Sequence, residues 1–357
     1  MAKAKTLMKG NNAIAEAAVR AGCKFFAGYP ITPQSEILEY MSSRLPEVGG
    51  IFVQTESEIA GISMVLGAAA TGMRALTSSS GPGFSLMQEG ISYIAAAQLP
   101  AVIVDVTRYG CGLGDIGSAQ GDYLQLAKNG GHGDYRCVVL TPGNLQEAVD
   151  FVIMGYDIAE KYRNPVLVAV DGAIGKMVEA VSLPEEIHNH DQNQYDWVLR
   201  EREENEERAQ AVQDIYRGVQ RDESARALLE KIKLMEKNEQ RAELFMTDDA
   251  DVIITAYGTM SRVAKEAVLF AREEGLKLGL IRLQTIWPFP KFAFEGLNPK
   301  AYIAAEQSIM PQMAEDIVIA VRGSVPVYSY TTGLTCPNTA DIIEKAKDVL
   351  AGNAEEV

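Results

Sequence analysis

Three short loops and one arginine carry the residues of this sequence that can do chemistry. The first loop, Gly28-Tyr29-Pro30-Ile31-Thr32-Pro33, is stiffened by two prolines and offers the Thr32 hydroxyl. The second, Thr55-Glu56-Ser57-Glu58, runs into an almost uncharged stretch, 59–71, which sets Glu58 at the mouth of a small apolar helix. The third, Ser78-Ser79-Ser80-Gly81-Pro82-Gly83, joins hydroxyls to glycines that let a ligand approach the backbone. Arg108 follows the most apolar strand pattern in the chain, 101–106, and its fork of donors suits a carboxylate. Plainer readings stand beside these. Thr32 can be an N-cap after a rigid turn, and the acids at 56 and 58 can simply complement a helix dipole. Arg108 can pair structurally with Asp105 or Asp115.

All three loops follow candidate strands, and in open α/β sheets the carboxyl edge is where ligands bind. Strands are expected at 23–27, 51–54, 73–78, 101–106, 137–140 and 165–170, with helices at 35–42, 59–71 and 144–161 between them. Runs such as Ala101-Val102-Ile103-Val104 are apolar at every position, which fits strands buried on both faces. The alternation predicts a doubly wound α/β domain. A second α/β block follows, with strands at 251–257, 277–283, 301–305 and 326–330 and helices at 261–274, 312–321 and 339–350. Between the blocks, nearly half of residues 199–243 are charged, against 23% overall. Apolar residues persist there at helical spacing (Leu228, Ile232, Met235), predicting a solvated helical connector.

The 357 residues are 47% hydrophobic and 23% charged, an ordinary globular balance. A formal charge of −15 argues against a polyanion binder and against attraction to anionic membranes. Nucleic acid and membrane are therefore not expected partners. Cys23, Cys111, Cys137 and Cys336 stand far apart without a CxxC, so metal and iron–sulfur ligation is not expected. Reduced thiols packed as small hydrophobes, in a cytoplasmic protein, are the expectation. No signal-like or membrane-spanning run is present. Only His132 is placed for catalysis or for lining a pocket, because His188 and His190 fall in the connector and read as solvated. Gly110-Cys111-Gly112-Leu113-Gly114 lacks the spacing of a dinucleotide fingerprint and reads as a loop.

Taken in order, Tyr29-Pro30-Ile31-Thr32-Pro33, Glu58 nine residues before Gly67, Ser79-Ser80-Gly81-Pro82-Gly83 and Val106-Thr107-Arg108 resemble the 2-oxoacid:ferredoxin oxidoreductases. They are similar to the alpha subunit of the multi-subunit type. In the second block, Tyr257-Gly258-Thr259, Ile281-Arg282-Leu283, Trp287-Pro288-Phe289-Pro290 and Gln312-Met313-Ala314-Glu315-Asp316 resemble its transketolase C-terminal-like domain. The likeness covers 1–183 and 248–345.

The resemblance implies a pyrimidine-type thiamine diphosphate-binding domain over 1–183, the charged connector over 184–247 and a transketolase C-terminal-like domain over 248–357. It implies thiamine diphosphate shared with a partner, Glu58 hydrogen-bonding the pyrimidine ring nitrogen, and Tyr29, Pro30, Ile31, Ser80 and Gly81 lining the cofactor. Arg108 and the Thr32 hydroxyl would hold the substrate carboxylate. The implied reaction is oxidative decarboxylation of a 2-oxoacid with coenzyme A, giving acyl-CoA, CO2 and reduced ferredoxin. The implied partners are a diphosphate-binding beta subunit, a gamma subunit, a ferredoxin-like delta subunit and ferredoxin itself, in a dimer of heteromers. Mg2+ and [4Fe-4S] clusters would lie on those partners. A branched-chain 2-oxoacid is the expected substrate, with 2-oxoglutarate, pyruvate or a non-catalytic scaffold role as alternatives. A second carboxylate would need another cation, and Lys128 and Arg136 are candidates by position. A stand-alone nicotinamide dehydrogenase is disfavoured by the missing glycine fingerprint.

Overall fold

The stretches that are apolar at every position fold as strands buried at every residue, as a sheet covered by helices on both faces requires. The structure is a computed structural model and describes residues 5–128, 130–201 and 221–357. The chain begins β1 (Thr6–Lys9), α1 (Gly10–Arg20), β2 (Phe25–Gly28), α2 (Ser35–Glu47), β3 (Ile51–Gln54), α3 (Glu58–Ala70), β4 (Ala75–Ser79) and α4 (Pro82–Ala96). It continues with β5 (Ala101–Tyr109), β6 (Asp115–Ser118), α5 (Tyr123–Ala127), β7 (Val138–Leu140), α6 (Leu145–Tyr162), β8 (Pro165–Asp171), α7 (Gly172–Lys176) and β9 (Val178–Val181). The connector carries α8 (Arg221–Asn238) and β10 (Ala242–Phe245), and after it come β11 (Val252–Ala256), α9 (Gly258–Glu273), β12 (Leu278–Leu283) and β13 (Thr285–Trp287). A single 3-10 turn (Lys291–Phe294), β14 (Ala301–Glu306), α10 (Ala314–Val321), β15 (Val327–Thr331) and α11 (Thr339–Ala351) complete it.

The large sheet has the order β13-β7-β8-β5-β4-β2-β3, with β6 added antiparallel to β5. Its strands are parallel except for β13 and β6. Helices α1, α2 and α6 cover one face, and α3 and α4 pack on the other. The expected doubly wound α/β fold is therefore present. A second sheet, β10-β12-β11-β14-β15, is parallel but for its edge strand β10. Helices α9 and α11 pack on its outer face. Its inner face (Ile253, Ile281, Tyr302) shares one core with Ile103, Leu167 and Phe84 of the first block.

Several elements differ from expectation. Helix α4 escaped the sequence pattern because it opens on Gly81-Pro82-Gly83, residues that usually punctuate. The connector is only partly what its charge predicts, and its middle, 202–220, lies outside the described residues. In α8 the apolar stripe does face the protein, with Met235 buried, but the connector ends in strand β10, not in helix. His190 is not solvated: its ring lies within 2.8 Å of the Gly72 carbonyl and 3.4 Å of a Glu160 carboxyl oxygen. The cysteines divide. Cys23 and Cys137 are buried as expected, whereas Cys111 and Cys336 are exposed.

Candidate active site

Helix α3 starts where Ser57 accepts a hydrogen bond from the Ala60 N–H, and Glu58 is its first residue. Behind Glu58 the helix has no charged residue. At Gly61 it lies close enough to β2 that an added methyl group would stand 3.5 Å from the Ala27 carbonyl oxygen. This close seat holds Glu58 over the sheet edge, 6% exposed. Its carboxylate points at the first turn of α4. A methyl group at Gly83 would sit 2.3 Å from Glu58 Oε1 and 2.3 Å from Ser79 Oγ, so only glycine admits both side chains.

Arg108 occupies the neighbouring strand end, 4% exposed. The alternative ion pairs with Asp105 and Asp115 do not form. Instead Nη1 donates to the Thr32 carbonyl at 2.7 Å and Nη2 to the Leu113 carbonyl at 2.8 Å. A methyl group at Gly81 would lie 3.0 Å from Arg108 Nε, and Gly81 adopts φ +48° as it caps α4. The backbone thus carries Glu58, Ser79, Gly81, Arg108 and Thr32 round one continuous rim. The Thr32 loop is pinned from behind, where buried Asn11 donates to the Pro33 carbonyl at 2.7 Å and Gln34 donates to that of Tyr29 at 3.1 Å. Tyr29 and Pro30 are exposed on that loop, with Ile31 half-buried.

Buried polar atoms without partners gather at this rim: Thr77 Oγ1, Ser79 Oγ, Ser80 Oγ, both Asp105 oxygens and Arg108 Nε. Buried polar groups normally have a partner, so a set this dense marks a place built for a polar ligand. Asp105 is pushed well above the ordinary aspartate range, chiefly by burial and further by the Asp122 carboxylate, with Arg108 opposing. Burial also raises Asp122, against hydrogen bonds from the Arg108 N–H and Gln125. Gly83 lies in the glycine loop the sequence singled out, whereas Asn11, Gln34 and the burial of Asp105 were missed, none of these three standing in a distinctive local pattern.

Other candidates are placed elsewhere. His132 is exposed. Lys128 is ion-paired with Asp316 of α10, and Arg136 donates to the Lys128 and Tyr135 carbonyls, so neither is a free cation beside Arg108. Residues 110–114 form the β5–β6 turn, with positive φ at Gly110, Gly112 and Gly114, as the loop reading expected. Among the described residues, no three His, Cys, Asp or Glu side chains converge on a metal position.

Residues 16–244 match the family model described as pyruvate flavodoxin/ferredoxin oxidoreductase, thiamine diphosphate-binding, and 250–339 match core domain II of pyruvate:ferredoxin oxidoreductase. The chain belongs to this family. As a 2-oxoacid:ferredoxin oxidoreductase subunit, it is 44% identical over 359 residues to ketoisovalerate oxidoreductase subunit VorB of Methanothermobacter thermautotrophicus, covering 99% of this chain and 100% of that one. It is 39% identical over 326 residues to 2-oxoglutarate synthase subunit KorA of Methanocaldococcus jannaschii (85% and 88% covered). Among solved structures, a 2-oxoglutarate:ferredoxin oxidoreductase from Magnetococcus marinus superposes with TM-score 0.84 at 27% identity, over 97% of this chain and 65% of that one. A split-gene transketolase matches at TM-score 0.56 and 16% identity, a likeness of fold alone. The oxidoreductase subunit is thus part of a thiamine diphosphate-dependent, multi-subunit enzyme, as the resemblance implied. No helix among its described residues is long and apolar enough to cross a membrane.

Proposed function

We propose that this chain is the alpha subunit that supplies the pyrimidine side of a shared thiamine diphosphate site, in an enzyme that oxidatively decarboxylates a branched-chain 2-oxoacid. The products are acyl-CoA, CO2 and reduced ferredoxin. Residues 1–183 form the pyrimidine domain, 184–247 the connector and 248–357 the transketolase C-terminal-like domain. The observation that carries the reading is the buried Glu58 carboxylate, held against Gly83 and Ser79 one strand away from Arg108.

The rim fits the cofactor. Glycines 81 and 83 admit a ring close to backbone, and unpartnered hydroxyls of Ser79 and Ser80 stand ready to bond it. Thiamine diphosphate, when bound, supplies the nucleophilic carbon and electron sink that 2-oxoacid decarboxylation needs. Glu58 would accept a hydrogen bond from, or share a proton with, the pyrimidine ring nitrogen, and its dry setting strengthens that bond. Tyr29, Pro30 and Ile31 would flank the ring from the pinned first loop. Arg108 retains Nε for the substrate carboxylate, while its other nitrogens keep the Thr32 and Leu113 loops in place. The Thr32 hydroxyl would add a second hydrogen bond.

A diphosphate-binding beta subunit would hold the other half of the cofactor with Mg2+. The [4Fe-4S] clusters would lie on a ferredoxin-like delta subunit or other partners, completed by a gamma subunit in a dimer of heteromers. Four unlinked thiols, two of them buried, support this division and a reducing cytoplasmic setting. The full-length likeness to a ketoisovalerate oxidoreductase subunit favours the branched-chain substrate. The likeness to 2-oxoglutarate enzymes keeps 2-oxoglutarate as a second reading, which the commitment of Lys128 and Arg136 elsewhere disfavours. The test is Glu58→Gln in the assembled complex, read by coenzyme A-dependent ferredoxin reduction. Turnover should fall by about 100-fold or more while assembly stays normal. Near-normal turnover would remove Glu58 from this role.

A further inference from the structure

Arg108 does more than face the rim: it ties two loops together. With Nη1 on the Thr32 carbonyl and Nη2 on the Leu113 carbonyl, the guanidinium is fixed between them. The Leu113 loop has a defined shape. The Gly114 N–H donates to the Cys111 carbonyl at 3.1 Å, and a methyl group at Gly114 would stand 2.0 Å from the Tyr109 carbonyl oxygen, so the turn closes only through glycine. From this glycine-rich tip one large apolar side chain projects, Leu113, 84% exposed, on the loop whose carbonyl Arg108 holds. Its backbone is tethered through the Leu113 carbonyl to the arginine proposed to read the substrate, while its side chain stays out of the core.

The charges nearby point the same way. No Lys or Arg occurs between Tyr109 and Ala127. The next two cations, Lys128 and Arg136, are held by Asp316 and by backbone carbonyls. Two residues past Leu113 stands an anion, Asp115, whose Oδ1 accepts the Gly117 N–H at 2.6 Å. The segment tied to Arg108 thus offers a leucine and an aspartate, and no cation for a second substrate carboxylate.

We infer that Leu113 is a specificity-determining residue, forming the apolar wall against the side chain of a 2-oxoacid whose carboxylate Arg108 holds, so that branched or other apolar 2-oxoacids are preferred to dicarboxylic ones. This rests on the role proposed above for Arg108. The same arginine reads the carboxylate and sets the distance to the group that reads the side chain.

The test uses the complete complex with thiamine diphosphate, Mg2+, coenzyme A and ferredoxin, and compares kcat/KM for 3-methyl-2-oxobutanoate, pyruvate and 2-oxoglutarate. Wild type should prefer the branched substrate. Leu113→Ala should lower the ratio of branched substrate to pyruvate by about tenfold or more, the discrimination one or two methylenes provide. Leu113→Arg should raise the ratio of 2-oxoglutarate to branched substrate by a similar factor. If the arginine variant fails to assemble, Leu113→Val keeps the polarity, and its ratio of branched substrate to pyruvate should still fall by about threefold or more. Ratios that stay within about twofold of wild type in an active complex, or a wild type that prefers 2-oxoglutarate, would overturn the inference while leaving the general function intact. A wild type that turns over no 2-oxoacid would overturn both.

Discussion

Glu58 owes its position to a neighbour that has no side chain. Gly83 leaves the space that Glu58 Oε1 and Ser79 Oγ occupy, and a methyl group there would meet both at 2.3 Å. Gly83→Ala should therefore displace the carboxylate and lower kcat by an order of magnitude or more, while overpacking costs about 1–3 kcal/mol of stability. Steady-state turnover of the complex and a melting curve of the chain measure the two effects. Unchanged values for both would show that α4 shifts freely. Glu58, Ser80, Gly81 and Arg108 were legible in the sequence because each is a polar or glycine residue at the end of an apolar run. Asp105 was not. It sits inside such a run, and its burial with two unpartnered oxygens follows from the pairing of β5 with β4 and β8, which no local pattern states.

Among elements, the join between β8 and α9 is the most telling. Asp171, the last residue of β8, accepts hydrogen bonds from the Thr259 N–H at 2.7 Å, the Thr259 hydroxyl at 3.0 Å and Gln120 Nε2 at 3.1 Å. It thereby caps the first turn of a helix from the second block, where Gly258 has room for no side chain. Burial outweighs these bonds and pushes Asp171 up to about 6. An unfolded aspartate titrates near about 3.9, so between those values the folded state binds more protons than the unfolded one. The Asp171 contribution to stability is therefore greatest at low pH and declines as pH rises from about 4 to about 6, by about 3 kcal/mol. Chemical denaturation of wild type and Asp171→Asn across that range should show the difference moving in favour of the variant as pH increases. A difference that is flat with pH would mean the carboxylate is ionised throughout. A helix capped by its own preceding residue keeps that signal in the local sequence, as at α6, where Asn144 accepts the Glu147 N–H at 2.9 Å. A cap contributed by another block, as here, leaves no trace beside the helix it serves.

At the scale of the whole molecule, the two α/β blocks are less separable than their order in the chain implies. Strand β13, from the second block, pairs antiparallel with β7 and completes the edge of the first sheet, with Thr285 opposite Leu140 and Trp287 opposite Val139. Close by, Arg282 grips Glu147 of α6 with two bonds of 2.7 Å. A fragment of residues 1–247 would leave β7 as a bare edge and expose the shared apolar core, a combination that promotes aggregation. It should fail to yield a monodisperse, cooperatively melting species by gel filtration and circular dichroism, and success would show that the first sheet stands alone. The strand-and-helix alternation of each block was visible in the sequence through its periodicity. The exchange was not, because three residues, Thr285-Ile286-Trp287, look the same whichever sheet they join. For anyone recombining relatives of this enzyme, no simple splice point exists: a hybrid cut near residue 247 would give the first sheet a mismatched border strand from the donor, whereas a seam just beyond residue 287 keeps the first sheet within one parent but moves the mismatch to the β11–β14 pairing of the second.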